Sequence, residues 1–332
     1  MGVTEIIQYI IVAVLLFTGM LLYFKIADKY NIIDKPNERS SHNYVTIRGG
    51  GIVFWLAGVL YATMYWSESL FFLIGLTLIS LISLWDDIQS LPNKVRIVIH
   101  FLSISLIFFG LGLFAALPWW LIVAAYVFFV GVLNAYNFMD GINGITGLYS
   151  LVILIALQYV NQKIVAFTSP DFIYYPIIAC LIFLFFNFRK RAKCFAGDVG
   201  SMAISFWVVT LLLQLMVTTE SFIWILFLAV YGVDSVCTIL HRLSLKQNIF
   251  EAHRMHFYQV LSNERGIPHL RVAVLYALVQ GVVCSALIYS VVAFPQQEWY
   301  FVAGVLILLL LLYLTKFSTD ERPYPQSPKG GS

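Results

Sequence analysis

Apolar residues run along this chain in long blocks that are separated by short polar segments. Eleven blocks have the length and composition of a membrane-spanning helix, because roughly 17–25 mostly apolar residues cross a bilayer core of about 30 Å. The pattern predicts an all-α, polytopic integral membrane protein with about eleven transmembrane helices. The predicted spans are 6–24, 51–66, 70–85, 97–115, 119–133, 147–160, 173–186, 202–217, 222–240, 271–293 and 299–315.

Composition excludes the main alternatives to a membrane protein. Hydrophobic residues make up 61% of the 332 residues and charged residues only 11%, whereas soluble domains carry about 25% charged residues. This balance excludes a soluble globule, a disordered chain and a nucleic-acid-binding protein. The four cysteines form no close Cys-x-x-Cys pair, so we expect neither a disulfide framework nor a zinc cage.

The blocks also indicate the domain organisation. The first block is preceded by Glu5 and not by a basic segment, which is typical of a retained span and not of a cleaved signal peptide. We therefore predict one transmembrane catalytic domain over residues 1–317. A polar tail, 318–332, follows, and its last four residues, Lys-Gly-Gly-Ser, are typical of a fusion scar.

The positions of Lys and Arg predict the orientation in the membrane. All but one of the 20 basic residues lie in loops on one side of the predicted spans or in the tail, and the exception is Lys163. Because basic residues are retained on the cytoplasmic side, the N-terminus is predicted outside and the C-terminus inside. The candidate active-site loops then all face the cytoplasm; they are 25–50, 86–96, 134–146, 187–201 and 241–271.

The first of these loops ends in Arg48-Gly49-Gly50-Gly51. Consecutive glycines allow close approach of a ligand, and the amide groups of a helix N-terminus favour anions. A flexible, positively charged hinge explains the same residues equally well. This motif alone does not decide between the two.

The second loop begins with the acidic pair Asp86-Asp87 at the end of a predicted helix. Two carboxylates at a helix C-terminus oppose the helix dipole and repel each other, so a cation is the natural compensation. A metal or catalytic role explains the pair, and so does neutralisation by Lys94 and Arg96.

Residues 134–144 and 187–201 concentrate further chemistry at the same membrane edge. The first segment contains Asn134, Asn137, Asp140 and Asn143, oxygen donors that suit Mg²⁺ together with substrate phosphates. The second segment carries a basic run, which is ordinary for an inner loop. It also places Asp198 between two glycines at the start of a span, and topology does not explain that residue.

Loop 241–271 contains His253-Arg254-Met255-His256 among other histidines and arginines. Together these residues indicate a phosphate-binding cluster. A zinc site is the competing hypothesis, but no cysteine lies in the loop and the spacing matches no familiar zinc pattern.

Five motifs, taken in order, make the chain resemble the polyprenyl-phosphate N-acetylhexosamine-1-phosphate transferases, the glycosyltransferase group 4 membrane enzymes. Lys35-Pro36-Asn37 is more similar to the bacterial undecaprenyl-phosphate enzymes that start O-antigen, capsule or related cell-surface glycans. Asn143 departs from the Asp of many bacterial members. The motifs are Arg-Gly-Gly-Gly at 48–51, Asp86-Asp87, Asn-x-x-Asn-x-x-Asp-Gly-x-Asn-Gly at 134–144, Phe-x-Gly-Asp-x-Gly-Ser at 195–201 and His-Arg-x-His at 253–256.

The resemblance implies transfer of N-acetylhexosamine 1-phosphate from a UDP-sugar to undecaprenyl phosphate, with release of UMP at the cytoplasmic face of the bacterial inner membrane. Mg²⁺, replaceable by Mn²⁺, is the implied cofactor, and a homodimer is compatible with it. The implied roles are catalytic for Asp86, Asp87 and Asp140; metal-binding for Asp198 and Asn137; and substrate-binding for Phe195, Asn143, Asn187, Lys94, Arg48, His253, Arg254 and His256.

Two questions stay open from the sequence. A transporter or flippase is the alternative function, but it would be expected to carry charges near the membrane midplane, whereas the four site aspartates lie at the inner rim. The chemistry is either direct attack of the lipid phosphate on the sugar-bearing phosphorus or passage through an aspartyl-phosphate intermediate. Direct attack is favoured because a phosphate monoester is mostly a dianion at pH 7.

Overall fold

A computed structural model describes residues 2–34, 44–89, 91–249, 253–294 and 296–317, and only the backbone of Glu298. Lys35-Pro36-Asn37 and the tail 318–332 lie outside the described residues. The long helices are α1 (Val3–Lys29), α2 (Ile52–Met64), α3 (Trp66–Ile88), α4 (Asn93–Gly110), α6 (Trp119–Met139), α7 (Ile145–Lys163), α8 (Pro170–Asn187), α9 (Gly197–Thr219), α10 (Ala229–Ser244), α12 (His269–Ala293) and α13 (Glu298–Leu314). The short elements are β1 (Ile33–Asp34), β2 (Thr46–Ile47), α5 (Leu113–Ala116), a 3₁₀ turn (Phe222–Leu228), α11 (Phe257–Gln259) with a π turn (Val260–Glu264), and a last 3₁₀ turn (Thr315–Phe317).

Each predicted span coincides with a helical segment, which confirms the all-α polytopic fold. Within the described ranges, ten segments are long and apolar enough to cross a membrane. The eleventh, α2, has 13 residues and is about 20 Å long at 1.5 Å per residue. It is therefore shorter than a bilayer core, so the count of eleven includes one helix that does not span alone.

The polar connections are shorter than predicted. Asp86 and Asp87 belong to the last turn of α3, and Lys94 and Arg96 belong to the first turns of α4. The apolar pattern marks only the part of a helix that faces lipid or core. A helix continues beyond that part because its backbone stays hydrogen-bonded while long charged side chains extend to water.

Helix α9 forms the centre of the bundle. Every residue from Val199 to Leu213 is buried, and α2, α3, α6, α7 and α8 pack around it. A helix that is apolar on all sides is expected in such a position. The N-terminus of α9 lies beside the ends of α3 and α6, because Asp198 donates its backbone N–H to Asp87 and Ser201 accepts a hydrogen bond from Asn137.

The predicted span 222–240 is interrupted. A 3₁₀ turn ends at Leu228 and α10 starts at Ala229, and an amide side chain from α12 satisfies the interrupted backbone. Gln280 accepts a hydrogen bond from the backbone N–H of Val230 (3.0 Å) and donates to the carbonyl of Leu226 (3.0 Å). Tyr149 on α7 donates to the same amide oxygen (2.9 Å). Buried backbone groups in a membrane need such partners.

Candidate active site

Alternating acids and arginines lie at the end of the bundle where α3, α4 and α9 meet. Arg48 contacts Asp87 (Nε to Oδ1, 2.6 Å) and Asp198 (Nη2 to Oδ1, 3.4 Å). Arg96 contacts Asp86 (Nη1 to Oδ2, 2.8 Å) and Asp198 (Nη2 to Oδ2, 3.6 Å). Each guanidinium is thus held closely by one acid of the pair, while Asp198 lies between both at longer distances.

Asp87 holds the start of α9. Its side chain is fully buried, and its two oxygens accept the backbone N–H groups of Asp198 (3.0 Å) and Val199 (3.1 Å). Those N–H groups have no partner within the helix, and a carboxylate at a helix N-terminus is favourable for the dipole. Asp87 therefore fixes the position of Asp198.

The glycines of the first motif allow their backbone to lie directly against the backbone at the start of α9. Gly50 and Gly51 donate their N–H groups to the carbonyls of Phe195 (2.8 Å) and Ala196 (3.0 Å). A Cβ on Gly51 would lie 2.1 Å from the Cα of Gly200. Of the two alternatives left open by the sequence, anion binding does not apply to the amides of residues 50 and 51, because the chain that precedes α9 already accepts their hydrogen bonds.

This junction also explains how Arg48 reaches the acids. Strand β2 pairs with β1 in an antiparallel hairpin, and Ile47 forms an isolated parallel bridge with Cys194. The hydroxyl of Tyr23 donates to the carbonyl of Arg48 (2.7 Å). The backbone of Arg48 is therefore held on both sides, and its side chain is placed over the N-terminus of α9.

Asn137 and Asp140 lie at the end of α6, beside Asp198. The amide of Asn137 donates to the hydroxyl of Ser201 (3.4 Å), one turn along α9 from Asp198. Asp140 accepts a hydrogen bond from the hydroxyl of Thr146 (2.6 Å). Burial, aided by the negative charge of Asp198, raises the pKa of Asp140 to about 7. This carboxyl is therefore poised between its two protonation states near neutral pH.

The two other predicted carboxamides hold loops. Asn187 accepts the N–H of Gly144 (2.6 Å) and donates to the carbonyl of Cys194 (2.8 Å). Asn143 donates to the carbonyl of Arg189 (2.8 Å) and to the hydroxyl of Tyr44 (3.2 Å). Both side chains are buried, and both connect the segment after α6 to the segment before α9.

The predicted histidine cluster, which directly precedes α11, lies close to the end of α6. The hydroxyl of Tyr258 donates to the carbonyl of Phe138 (2.9 Å), next to Asn137. The ring of Phe138 lies 6.5 Å from that of His253 and 6.1 Å from that of His256. Burial lowers the pKa of His253 to about 3, so this ring is neutral at pH 7.

The remaining predicted residues lie at the edge of the cluster. Lys94 is exposed on the first turn of α4, while Phe195 and Arg254 are partly buried. The backbone N–H of Phe195 donates to the carbonyl of Ile47 (2.8 Å), so its position is set by the same junction as Arg48. Lys94 makes no ion pair with Asp86 or Asp87 among the described contacts, and Arg96 and Arg48 neutralise the acidic pair instead.

Sequence analysis missed two groups that contribute to the site. Arg96 was weighed only as a neutralising charge, although it joins Asp86 to Asp198. Asp234 was not selected, although it is the only acidic residue inside any of the eleven predicted spans. An ionisable residue in a membrane span is a functional candidate by default, so the signal was present in the sequence.

The donor set around Asp198 fits a Mg²⁺ ion that is shared with substrate. Its oxygens meet arginine nitrogens at 3.4 and 3.6 Å, longer than the 2.7–2.9 Å of a close charge-assisted hydrogen bond, and the side chain is 20% exposed. Across the described ranges, no three His, Cys, Asp or Glu side chains form a metal cage. Mg²⁺ commonly needs only one or two carboxylates when phosphates and water complete its shell.

The chain is similar to known proteins over the region that contains this arrangement. The profile of Glycosyl transferase family 4 matches residues 69–216, which include both members of the acidic pair, the carboxamide segment and Asp198. A probable undecaprenyl-phosphate N-acetylglucosaminyl 1-phosphate transferase of Bacillus subtilis (strain 168) is 27% identical over 312 residues, 87% of this chain and 85% of that protein.

Two enterobacterial proteins show a similar likeness. The undecaprenyl-phosphate alpha-N-acetylglucosaminyl 1-phosphate transferase of Escherichia coli O157:H7 is 25% identical over 92% of this chain and 88% of its own length. The protein of the same description from Yersinia pestis is 24% identical over 91% of this chain and 89% of its own length. The aligned spans therefore extend well beyond the family profile and are long enough to cover positions 48 and 253–256.

Proposed function

We propose that this chain, which belongs to glycosyl transferase family 4, is a glycosyl-1-phosphate transferase that moves N-acetylhexosamine 1-phosphate from a UDP-sugar to undecaprenyl phosphate and releases UMP. The observation that carries the proposal is Asp198, held at the N-terminus of α9 between two arginines that are themselves anchored by Asp87 and Asp86. An acid flanked by fixed guanidinium groups suits a reaction in which charge moves between phosphates.

The arginines supply the fixed positive charge. Each uses one nitrogen for a close contact with Asp86 or Asp87 and directs a second nitrogen towards Asp198. Arginine binds phosphate oxygens with two parallel hydrogen bonds, so Arg48 and Arg96 can hold the phosphates of donor and acceptor. In this proposal Asp86 and Asp87 act mainly by orienting these arginines, because the side chain of Asp87 is fully buried.

Asp198 and Asn137 would hold Mg²⁺, with Mn²⁺ as a substitute. When bound, the ion would neutralise the negative charge of the diphosphate. Asp140 lies beside them with a pKa raised to about 7 by burial. Asp140 would therefore share a proton with the phosphates near neutral pH and keep two adjacent full negative charges from facing the substrate.

The remaining substrate roles divide between contact and support. Phe195 would stack on uracil, Lys94 and Arg254 would contact phosphate oxygens at the rim, and His253 would donate a hydrogen bond as a neutral ring. Asn143 and Asn187 have their amide groups engaged with loop backbone. They would therefore shape the nucleotide site by holding these loops in place.

The chemistry needs little covalent participation from the protein. An oxygen of the lipid phosphate attacks the phosphorus that carries the sugar, and the bond from that phosphorus to the UMP oxygen breaks. Both reactants are phosphates, so positioning and charge neutralisation account for most of the catalysis. Since the lipid phosphate is mostly a dianion at pH 7, the attacking oxygen needs orientation and no strong base.

Placement in the cell follows from the charges. The basic residues lie on the side that carries the acids of the site, and the positive-inside rule assigns that side to the cytoplasm. We therefore propose a multi-pass inner-membrane enzyme with a cytoplasmic active site, acting early in cell-surface glycan synthesis. The names of the relatives make UDP-N-acetylglucosamine the first donor to test. A homodimer stays a prediction.

Release of UMP tests the proposal directly. Purified full-length protein in detergent is mixed with undecaprenyl phosphate, Mg²⁺ and each of a panel of UDP-N-acetylhexosamines. Formation of UMP and a lipid-linked sugar diphosphate in equal amounts is expected with at least one donor. A transporter or flippase would form neither product, so absence of both across the panel contradicts the proposal.

A further inference from the structure

Asp234 is a buried carboxylate on α10 that holds the histidine segment. It is 3% exposed. Its oxygens accept hydrogen bonds from the backbone N–H of Phe257 (2.8 Å) and from the hydroxyls of Tyr276 (2.7 Å) and Thr238 (3.2 Å). The helix break at Leu228–Ala229, closed by Gln280, sets the direction of α10 and hence the position of this acid.

The same carboxylate faces His256. The distance from its Oδ1 to Nδ1 of His256 is 3.4 Å, and the ring is 3% exposed. Neither ring nitrogen of His256 makes a hydrogen bond to a described residue. Nδ1 meets the carboxylate at ion-pair distance only, and Nε2 lies on the other side of the ring. A buried polar atom of this kind calls for an explanation, and an oxygen of a ligand would provide the missing partner.

His253 differs from His256 in its surroundings. Its Nδ1 accepts the backbone N–H of Met255 (3.3 Å), so the hydrogen of its neutral ring lies on Nε2. Its ring centroid lies 4.9 Å from that of His256, and burial lowers its pKa to about 3. Among the described residues, His253 thus has no carboxylate partner, whereas His256 has a carboxylate behind its ring.

We infer that Asp234 is a positioning residue that acts through His256. The acid faces Nδ1 of His256 and pairs with the ring when both ring nitrogens carry a proton, so that Nε2–H is directed to an oxygen of the departing UMP phosphate. This inference rests on the proposed function. The hydrogen bond strengthens as negative charge grows on that oxygen, so its loss should lower kcat more than it raises the donor KM.

A purely structural role for Asp234 is the competing explanation, because the carboxylate also accepts the N–H of Phe257 at the start of α11. The two roles differ in what the acid acts through. If Asp234 only holds α11, replacing it lowers kcat by a further factor in a protein that already lacks His256. If it acts through His256, its loss has no further effect once His256 is gone.

A double-mutant cycle separates these roles. Wild type, Asp234→Asn, His256→Gln and the double variant are purified as full-length protein and assayed for UMP release with UDP-N-acetylglucosamine or another accepted donor. Each single variant is expected to lower kcat about 10- to 150-fold, the range for a hydrogen bond to a charged group, with the donor KM changed by less than about threefold. The kcat of the double variant should lie within about threefold of the kcat of the less active single variant.

Tyr276→Phe is the matched control. It removes a neutral hydrogen-bond donor from the same carboxylate and leaves the pair with His256 intact. We expect it to change kcat by less than about fivefold, because a neutral hydrogen bond is weaker than a charged one. Thermal unfolding in detergent is measured for every variant to confirm that the protein is folded.

The outcomes are distinguishable from failure of the proposed function. No UMP release by wild type contradicts that function and removes the basis of the inference. An active wild type with Asp234→Asn at near-normal kcat, or with losses that multiply in the double variant, overturns the role of Asp234 alone. If Asp234→Asn does not fold, Asp234→Ser, which also lacks a carboxylate, replaces it in the same cycle and the same two outcomes decide.

Discussion

Replacing Gly51 with alanine tests whether the junction between residues 48–51 and the start of α9 sets the geometry of the site. The backbone at Gly51 has φ −69° and ψ −1°, values that alanine adopts without strain. The new methyl group is therefore the only perturbation. It would lie 2.1 Å from the Cα of Gly200 and 2.9 Å from the carbonyl oxygen of Ala196.

The size of the effect follows from these contacts. Carbon atoms approach to about 3.5–4.0 Å at their optimum, so the two backbones must separate by roughly 1.4 Å or more. Arg48 lies on one side of the junction and Asp198 on the other, and their present separation is 3.4 Å. Because a misplacement of about 1 Å can cost roughly 100-fold in rate, we expect kcat to fall by about two orders of magnitude.

UMP release and thermal unfolding are measured together for Gly51→Ala and for Gly131→Ala. The second variant is the control, because a Cβ at Gly131 meets no described atom within 4 Å and alanine favours a helix interior by about 0.5–1 kcal/mol. Gly131→Ala should keep wild-type activity. Gly51→Ala should still accumulate in the membrane, because the contact lies in the first turn of α9 and the rest of that helix stays packed against its neighbours.

Two results would refute this reasoning. Activity of Gly51→Ala within about threefold of wild type would show that the site tolerates separation of the two backbones. A raised KM for one substrate, with unchanged kcat and unchanged thermal stability, would instead show that the glycine makes room for a ligand. The backbone hydrogen bonds from Gly50 and Gly51 argue against that second result.

Three further predictions concern the metal, the nucleotide and pH. Removing divalent metal with EDTA should abolish UMP release and added Mg²⁺ or Mn²⁺ should restore it, because the proposed function places Asp198 and Asn137 at the diphosphate; full activity in metal-free buffer would exclude this role. Phe195→Ala should raise the donor KM roughly 5- to 150-fold with little change in kcat, because stacking on a base contributes about 1–3 kcal/mol; equal thermal stabilisation of variant and wild type by UDP would argue against stacking. Burial raises the pKa of Asp140 from 3.8 to about 7. Between pH 3.8 and pH 7 the folded chain therefore keeps a proton on Asp140 that the unfolded chain has released, so the free energy of unfolding of the wild type falls as the pH rises through this range. Asp140→Asn, which does not ionise, should therefore gain thermal stability over wild type as the pH of a metal-free buffer is raised from 5.5 to 8, and parallel pH profiles of the two proteins would contradict the assignment.

The helices themselves were predictable from the sequence. Transfer of apolar side chains out of water is a property of each residue, so the eleven apolar blocks can be found without knowledge of any contact. Asp86, Asp140 and Asp198 could be selected for the same reason, since carboxylates at the ends of apolar blocks are costly unless they have partners. Helix ends were less accurate because hydrogen bonding carries the helix past the apolar residues, as in the turns that contain Asp87 and Arg96.

The partners of these charges depended on the tertiary structure. Arg48 and Asp198 are 150 positions apart, and only the pairing of residues 47–51 with the chain before α9 brings them together. The glycines at 50 and 51 are compatible with either a ligand or a close backbone in sequence, and the short distance to Gly200 decides between them. Asp234 appears in sequence as one acid in an apolar block; its contacts with α11 and His256 arise from the interrupted helix and from Gln280 on α12. Hydrophobicity acts residue by residue, whereas an ion pair or a packing contact needs two positions, and the folded chain alone determines which two positions meet.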